Sequence, residues 1–516
     1  MKIKLLLILQ LIILNSVHSQ NGNLDLSFGT NGIAITDVSN NSLDDTSASV
    51  IVKDNGSILQ TGSAKNTMGN KDFSLVQYDS NGLLDTAFGT NGITILDING
   101  SDEIANSSVL QSDGKIITVG YTSNTTTDII VARFNSNGTL DTSYAINGIF
   151  TYNSGGDDYA KRVTILPDNK ILIGCEISSD YGVIKISETG IIETSFGTNG
   201  IVTTDLGLGD NLSGLQLQSD GKILIVGTSG KMGAGDGDVY DKALIRYNSD
   251  GSLDTSFNAT GIIFTSFENG KNDGGYSINI QSDGKIIVNG SSEDIQGFDK
   301  IALARYNING SIDATFGTNG TTFTNYSDYD LSFTSLIQND GKIIIGGYFI
   351  NITTLQRDFI LSRYNTNGVL DNTFGANGIT TTDLNNSSRD FGYSLAFQTN
   401  NKILLAGYTK ENGGTYDFAI ARYTIEGNLG IDDFVNNSKN YLVYPNPATE
   451  SISIINKGLK NDKVDIEIYS ITGKKLKSIT NYNLDKNISL QFLQKGVYLI
   501  KILNDRTSET LKIIRK

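Results

Sequence analysis

The ten residues Leu84-Asp85-Thr86-Ala87-Phe88-Gly89-Thr90-Asn91-Gly92-Ile93 are written again and again along this chain. Versions begin at Leu24, Leu84, Leu140, Ile192, Leu253, Ile312 and Leu370, with a worn remnant at Leu429. Successive copies lie 52 to 61 residues apart. A period that long demands one supersecondary unit, stacked so that each copy buries the faces of the next.

The unit reads as four strands. In the copy that follows Gly378, residues 378–383, 393–398, 402–408 and 417–423 are extended runs rich in β-branched and aromatic residues, with Asn400-Asn401 between the middle two. Elsewhere that middle turn is Ser112-Asp113-Gly114-Lys115, Ser219-Asp220-Gly221-Lys222, Ser282-Asp283-Gly284-Lys285 or Asn339-Asp340-Gly341-Lys342. Asp-Gly is expected there to supply the positive φ values of a two-residue hairpin. Strands such as 222–226 are apolar at nearly every position, which suits sheets covered on both faces. Seven hairpins, seven strands of the type Ala132-Arg133-Phe134 and seven Thr-rich strands predict an all-β chain, a seven-bladed β-propeller of four-stranded antiparallel blades. The chain enters with a lone Thr-rich strand, 33–37, and has none after Ala421-Arg422-Tyr423. Pairing of this N-terminal strand with the last blade would close the ring and leave no open edge.

The Leu-Asp-x-x-Phe-Gly-x-x-Gly phrase, with Ser-Asp-Gly-Lys-Ile hairpins at about sixty-residue spacing, resembles the delta-60 repeat family of bacterial β-propellers over roughly residues 21–430. That resemblance implies a fold and hardly any chemistry. The third copy departs from it: Leu140-Asp141-Thr142-Ser143-Tyr144 lacks Phe-Gly, and Pro167-Asp168-Asn169 replaces the Asp-Gly turn.

Residues 1–19 read as a secretory signal peptide: Lys2 and Lys4, an apolar run from Leu5 to Leu14, then Val17-His18-Ser19 before Gln20. The apolar run is too short to span a bilayer, so an integral membrane protein is not expected. The one histidine, His18, would leave with the signal, removing imidazole chemistry from the mature chain. Cys175 is the one cysteine, which excludes an intrachain disulfide or a cysteine-built zinc site; its apolar context reads as a buried thiol. The signal carries a net +2 and residues from 440 onward +6, which leaves −23 of the whole-chain −15 for residues 20–439. Such a negative field disfavours nucleic acid and anionic membrane as partners, so no nucleic acid is expected, and leaves divalent cations and neutral or basic polymers open.

Composition changes after the propeller repeats (20–430), through a short linker (431–440), into a C-terminal domain (441–516) whose strand pattern predicts a small β-sandwich. Tyr444-Pro445-Asn446-Pro447, the 469–473 turn region with Gly473, Lys495-Gly496-Val497-Tyr498 and the basic tail with Lys512, Arg515 and Lys516 resemble the type A sorting domain read by the type IX secretion system. The resemblance implies that this machinery is a partner. It also implies export across both membranes, then release or attachment at the outer-membrane surface.

Two sets of residues are candidates for a binding site. An acid stands eight residues before the hairpin glutamine, or its equivalent, in every unit: Asp45, Glu103, Asp158, Asp210, Asp273, Asp330 and Asp390. A closed ring would gather these on one face, either as a cation-attracting mouth that takes calcium or as acceptors for backbone N–H groups at strand entry. The second set lies on the longest second-to-third-strand connection, with Lys231, Asp236, Asp238 and Tyr240, since recognition tends to be placed on variable loops over a rigid scaffold. The repeated Arg133, Arg246, Arg305, Arg363 and Arg422 read as structural, paired with aspartates such as Asp141 and Asp254. The calcium-like run 248–254 and the glycine-rich run 233–237 lack the full spacing and the context of a metal or phosphate loop. No catalytic residue and no obligatory cofactor is expected. The expected function is a non-catalytic, exported binding or scaffold module with a glycan or protein ligand. The alternatives are a carbohydrate-active enzyme using paired carboxylates, opposed by the missing histidine and tryptophan, and a purely structural surface component.

Overall fold

The computed structural model describes residues 21–425 and 441–515, apart from 41, 99, 233–237, 268–270, 328, 352, 355, 386–387, 399–400, 412–413, 445–447, 457–462, 471–473, 485 and 504–507. The predicted signal peptide and linker therefore lie outside the described residues, as do Asp236, Pro445, Asn446, Pro447, Gly473 and Lys516. Two compact units result, Met1–Glu426 and Gly427–Lys516, and every regular element among the described residues is a β-strand.

After the short strand β1 (Ile33–Thr36), the first unit sets out its pattern in β2 (Asp45–Val52), β3 (Ile58–Lys65), β4 (Lys71–Tyr78) and β5 (Ile93–Leu96), a four-stranded antiparallel meander in chain order. The same order recurs over residues 102–152, 158–204, 208–265, 273–324 and 329–382. The last three strands of the unit, Arg389–Gln398, Lys402–Lys410 and Tyr416–Thr424, gain a fourth from the other end of the chain. β1 pairs antiparallel with the last of them, Ile33 opposite Ala421 and Thr36 opposite Phe418. These are blades of the propeller type, buried on both faces: β3 and β4 are buried at seven of eight positions each.

The hairpin turns differ from the sequence expectation. Gly114 has φ +82°, but Asp113 does not adopt a positive φ. Gln111 N–H donates to Lys115 O and Gly114 N–H to Gln111 O, so residues 112–114 form a three-residue loop, a type I turn whose glycine carries the bulge. The Asp side chain is there for its oxygen: Asp113 Oδ1 accepts the Lys115 N–H at 3.1 Å.

Two contacts explain why the repeat keeps its wording. In the Leu-Asp-x-x-Phe-Gly phrase the aspartate receives an arginine from the third strand, at 2.8 Å for Arg133–Asp141, 2.7 Å for Arg246–Asp254 and 2.8 Å for Arg305–Asp313, Arg363–Asp371 and Arg422–Asp25. The phenylalanine lies beneath that guanidinium, Phe257 at 4.2 Å and Phe316 at 4.7 Å. The Thr-rich strands clasp the next sheet: Thr204, Thr265 and Thr382 side chains bond the hydroxyls of Tyr247, Tyr306 and Tyr423. Thr36 of β1 does the same to Tyr78 of β4 at 2.8 Å. Cys175 is fully buried among Ile117, Val131 and Ile184, and burial pushes its thiol well up.

The second unit holds two antiparallel sheets around one core that includes Ile452, Ile466, Ile500 and Ile513. One comprises Tyr441–Tyr444, Ser451–Asn456 and Asn487–Ser489; the other comprises Lys475–Tyr482, Val464–Ser470, Gly496–Leu503 and Ser508–Arg515, in that spatial order.

Candidate functional site

The first strand of each sheet carries three positions in fixed succession: an acid, a bulge, and the residue after the bulge. The acid comes first. Asp45, Glu103, Asp158, Asp273, Asp330 and Asp390 are completely buried and Asp210 is 3% exposed. Each accepts backbone N–H groups from the connection just before it. Asp45 Oδ2 takes Val38 (2.7 Å) and Ser39 (2.9 Å), Asp210 Oδ2 takes Leu206 (2.8 Å), Asp273 Oδ2 takes Phe267 (2.7 Å) and Asp390 Oδ2 takes Leu384 (2.8 Å). Glu103 holds Ile98, Asp158 holds Ser154, and Asp330 holds Tyr326 and Ser327. The carboxylates thus fix strand entry. Burial raises the carboxyls of Asp45 to about 6 and Glu103 to about 7 against those same hydrogen bonds.

Four of the seven acids also sit in three-carboxylate clusters between neighbouring sheets. The groups are Asp37, Asp45 and Asp417; Asp72, Asp97 and Glu103; Asp180, Asp205 and Asp210; and Asp358, Asp383 and Asp390, each with one oxygen per residue within 4.8 Å of the others. Burial, then the neighbouring carboxylates, raise Asp358 and Asp417 to about 6. At the remaining junctions the middle acid is Asn153, Ser266 or Asn325. Two of these bring a lysine: Lys242, buried and lowered to about 7 by desolvation although Asp273 opposes it, and Lys300, which occupies the register place of Asp72.

The bulge comes three residues after the acid, at Ala48, Asn106, Lys161, Ser213, Tyr276, Phe333 and Tyr393. A bulge re-aims a side chain out of the ladder. The residues that follow are Ser49, Ser107, Arg162, Gly214, Ser277, Thr334 and Ser394. Residues from all seven acid-bearing strands line one cavity of about 170 Å³, and its described lining holds no Asp or Glu.

This cavity is where the repeat stops being a repeat. Tyr276, Phe333 and Tyr393, from three successive acid-bearing strands, form a continuous wall with ring centroids 5.2 Å and 5.0 Å apart. Behind them Tyr348 lies 5.5 Å from Phe333, Tyr408 lies 5.5 Å from Tyr393, and Phe391 stacks on Tyr408 at 4.8 Å. Tyr416 and the Arg357 guanidinium extend the cluster outward. Burial raises the Tyr393 phenol strongly, so it stays a neutral hydroxyl. Larger grooves of about 750 and 450 Å³ lie on the sheet flanks, but both are lined by the repeated phrase and its Thr-rich strand, so neither singles out one place in the molecule.

The loop candidates fare differently. Tyr240 is exposed and its N–H donates to Asn272 Oδ1 at 3.0 Å, while Lys231 and Asp238 belong to a hairpin that pairs Lys231 with Val239 and Met232 with Asp238. In the run 248–254, Asp250 is a turn acceptor for Ser252, and Asp254 is taken by Arg246 and Lys222. In the second unit, the Tyr498 hydroxyl donates to Gln494 O and Arg515 reaches Thr449 O and Gln491 O. Tyr444 pairs with Ser453 and Lys512 with Leu499, while Gly496 opens its strand. Sequence reading missed the aromatic wall. Its signal was present in the column three residues after each acid, where four non-aromatic residues precede Tyr276, Phe333 and Tyr393.

The family model for a domain of unknown function, the DUF5122 β-propeller, matches residues 53–88, 111–144, 218–257, 281–316, 338–374 and 398–429. The model for the secretion system C-terminal sorting domain matches residues 442–516. The chain carries DUF5122 β-propeller repeats followed by a type IX sorting domain. The DUF5122 matches skip the stretch around Pro167, where the third copy departs from the phrase. The sorting domain marks the protein for handling by the secretion machinery and for export, to be secreted or attached at the cell surface. No helix among the described residues is long and apolar enough to cross a membrane. No curated protein matches the chain. Among solved structures, the chain is similar to a protein of unknown function from Dyadobacter fermentans (11% identity, 77% of this chain and 98% of that one, TM-score 0.43). It is also similar to Drosophila Plexin A in complex with Semaphorin 1b (8% identity, 78% and 88%, TM-score 0.40). A protein of unknown function from Bacteroides caccae follows at 12% identity, 66% and 98% coverage and a TM-score of 0.34.

Proposed function

We propose that residues 20–430 form a closed seven-bladed propeller that works outside the cell as a binding module, taking its ligand into the central cavity against the Tyr276–Phe333–Tyr393 wall. Residues 1–19 act as the signal for the first export step, and 431–440 link the propeller to the sorting domain. Closure is supported by the pairing of β1 with the last strand and by Gln60 Nε2, which donates to Gly407 O at 3.0 Å and Ala419 O at 3.1 Å. The observation that carries the binding reading is the broken symmetry: a scaffold held together by repeated contacts has no need for aromatics at three of seven equivalent bulges. Rings of this kind offer flat apolar faces with hydroxyl tips, the surface on which sugar rings or aromatic groups stack. The absence of Asp and Glu from the described lining supports binding over paired-carboxylate hydrolysis at this place.

The three-carboxylate clusters favour a second element: divalent cations, calcium among them, bridge neighbouring blades at the four junctions. Three carboxylates that close repel unless a proton or a metal intervenes. Lys242 and Lys300 stand at two junctions that lack a middle acid, as built-in cations would.

Titration of the purified propeller with a panel of soluble glycans, read by intrinsic tyrosine fluorescence in the presence and absence of calcium, tests the binding reading. Saturable quenching by at least one glycan is expected. A panel that leaves the emission unchanged at millimolar concentrations would turn the account toward a structural surface component.

A further inference from the structure

We infer that the central cavity takes an acidic sugar unit, with Arg162 receiving its carboxylate and the aromatic wall packing against its ring; this rests on the binding reading above. The residue after the bulge is small at six sheets, Ser49, Ser107, Gly214, Ser277, Thr334 and Ser394, and is Arg162 at the seventh. Arginine there cannot be filling a structural role common to the blades.

Its surroundings are unlike those of the repeated arginines. Those are paired with aspartates and lie over aromatic rings, Tyr144 for Arg133 and a phenylalanine for the other four. Arg162 makes one hydrogen bond, from Nη1 to Lys161 O at 3.0 Å, and forms no ion pair with a described residue. The neighbouring Lys161 is taken by Glu176 at 3.2 Å, so that acid is already engaged. Although Arg162 keeps partial contact with solvent inside the cavity, desolvation alone lowers its guanidinium to about 10, which leaves it charged at neutral pH. An unpaired charge in such a place is costly and is accounted for when a ligand supplies the counter-charge.

The rest of the lining suits a sugar. Ser394 Oγ accepts the Val50 N–H at 3.1 Å and Thr334 Oγ1 accepts the Leu395 N–H at 3.3 Å, which orients both hydroxyls and leaves their hydrogens for donation. Asn106 is held by Ala160 O at 2.8 Å beside them. A planar guanidinium binds a carboxylate in two-point fashion. In a chain whose residues 20–439 carry a net −23, one inward cation among hydroxyls also selects which anion enters.

The test is a calorimetric titration of the mature full-length protein with D-glucuronate, D-glucose and inorganic sulfate, repeated with Arg162→Gln, Arg162→Lys and Phe333→Ala, each checked by thermal melting. D-Glucuronate is expected to bind at least about tenfold more tightly than D-glucose or sulfate, a difference of about 1.4 kcal/mol. Arg162→Gln should abolish that preference, Arg162→Lys should retain part of it, and Phe333→Ala should weaken both sugars. If glucose and glucuronate bind alike and Arg162→Gln changes neither, the acidic-sugar inference falls while cavity binding survives. Sulfate binding as tightly as glucuronate would reduce the site to an oxyanion site and overturn the sugar assignment. If neither sugar binds, both this inference and its sugar-stacking basis fall.

Discussion

Arg422 Nε lies 2.8 Å from Asp25 Oδ2, joining the last strand of the first unit to the segment just ahead of its first strand. Arg422 Nη1 also reaches Ser80 O at 2.6 Å and Gln398 Oε1 at 2.9 Å, so the same side chain touches the first and last sheets. Four other copies of this pair are local, within one unit of the repeat. This one is made only when the two ends of the propeller unit meet.

Removal of residues 21–40 should therefore open the unit. The deletion takes away Asp25, β1 and the Thr36–Tyr78 clasp, and bares the edge of the Tyr416–Thr424 strand. Calorimetry should show a melting temperature lowered by more than about 10 °C, since several kcal/mol are lost together. An unchanged melt would mean that the N-terminal segment is not part of the fold.

Breaking one local copy should be costly too. Arg363 is fully buried and bonded to Asp371 and Thr373. Arg363→Met leaves the Asp371 carboxylate without its arginine and should cost about 3–5 kcal/mol, measurable by denaturant unfolding, whereas Met68→Ala, at an exposed side chain, should change stability by less than about 0.5 kcal/mol.

The pH dependence has two opposed arms. Asp45, Glu103, Asp358 and Asp417 have folded-state values raised to about 6–7, above the unfolded carboxylate range of about 4. Such groups stabilise fully below the unfolded value, and that contribution is lost as pH rises through 6 to 7. At Asp141, Asp254, Asp313 and Asp371 burial is outweighed by hydrogen bonds and by the lysine and arginine charges, which hold them below their usual range; their contribution is lost as pH falls below about 4. In the presence of a chelator the melting temperature should rise from pH 8 to about pH 5 and then drop. Millimolar calcium should raise it at pH 7.5 and do little at pH 5, where protons already occupy the clusters. A calcium effect independent of pH would reject the clusters as cation sites.

Deleting residues 440–516 should leave the propeller folded and strand it inside the outer membrane, because the sorting domain is what the export machinery handles. Fractionation of cells expressing the truncated chain checks this. Normal amounts of the shortened protein outside would contradict it.

Much of the fold was legible because the chain states each constraint repeatedly. Arg, Asp and Phe recur at fixed spacing, and the structure places them in one stacked unit, as at Arg305, Asp313 and Phe316. The hairpin was misjudged because Asp-Gly is read by residue type as a two-residue turn, whereas the Lys115 N–H to Asp113 Oδ1 bond favours the longer loop. The cavity wall was harder to see. Tyr276, Phe333 and Tyr393 look like ordinary strand residues, and only the bulge, which period-two alternation does not announce, turns them inward. Arg162 was hidden the same way, one place after Lys161 in the least regular copy.

The central claim is that ligand is held in the cavity and not on the longest loop, and the measurement that tests it most directly is a side-by-side titration with one bound glycan. The double variant Phe333→Ala, Tyr393→Ala should lose binding by at least about tenfold, as expected when stacked rings are removed, while Asp236→Ala, Asp238→Ala, Tyr240→Ala together should bind as the parent does. Loss confined to the loop triple variant, with the cavity double variant folded and unaffected, would contradict the account and place recognition at the fourth hairpin.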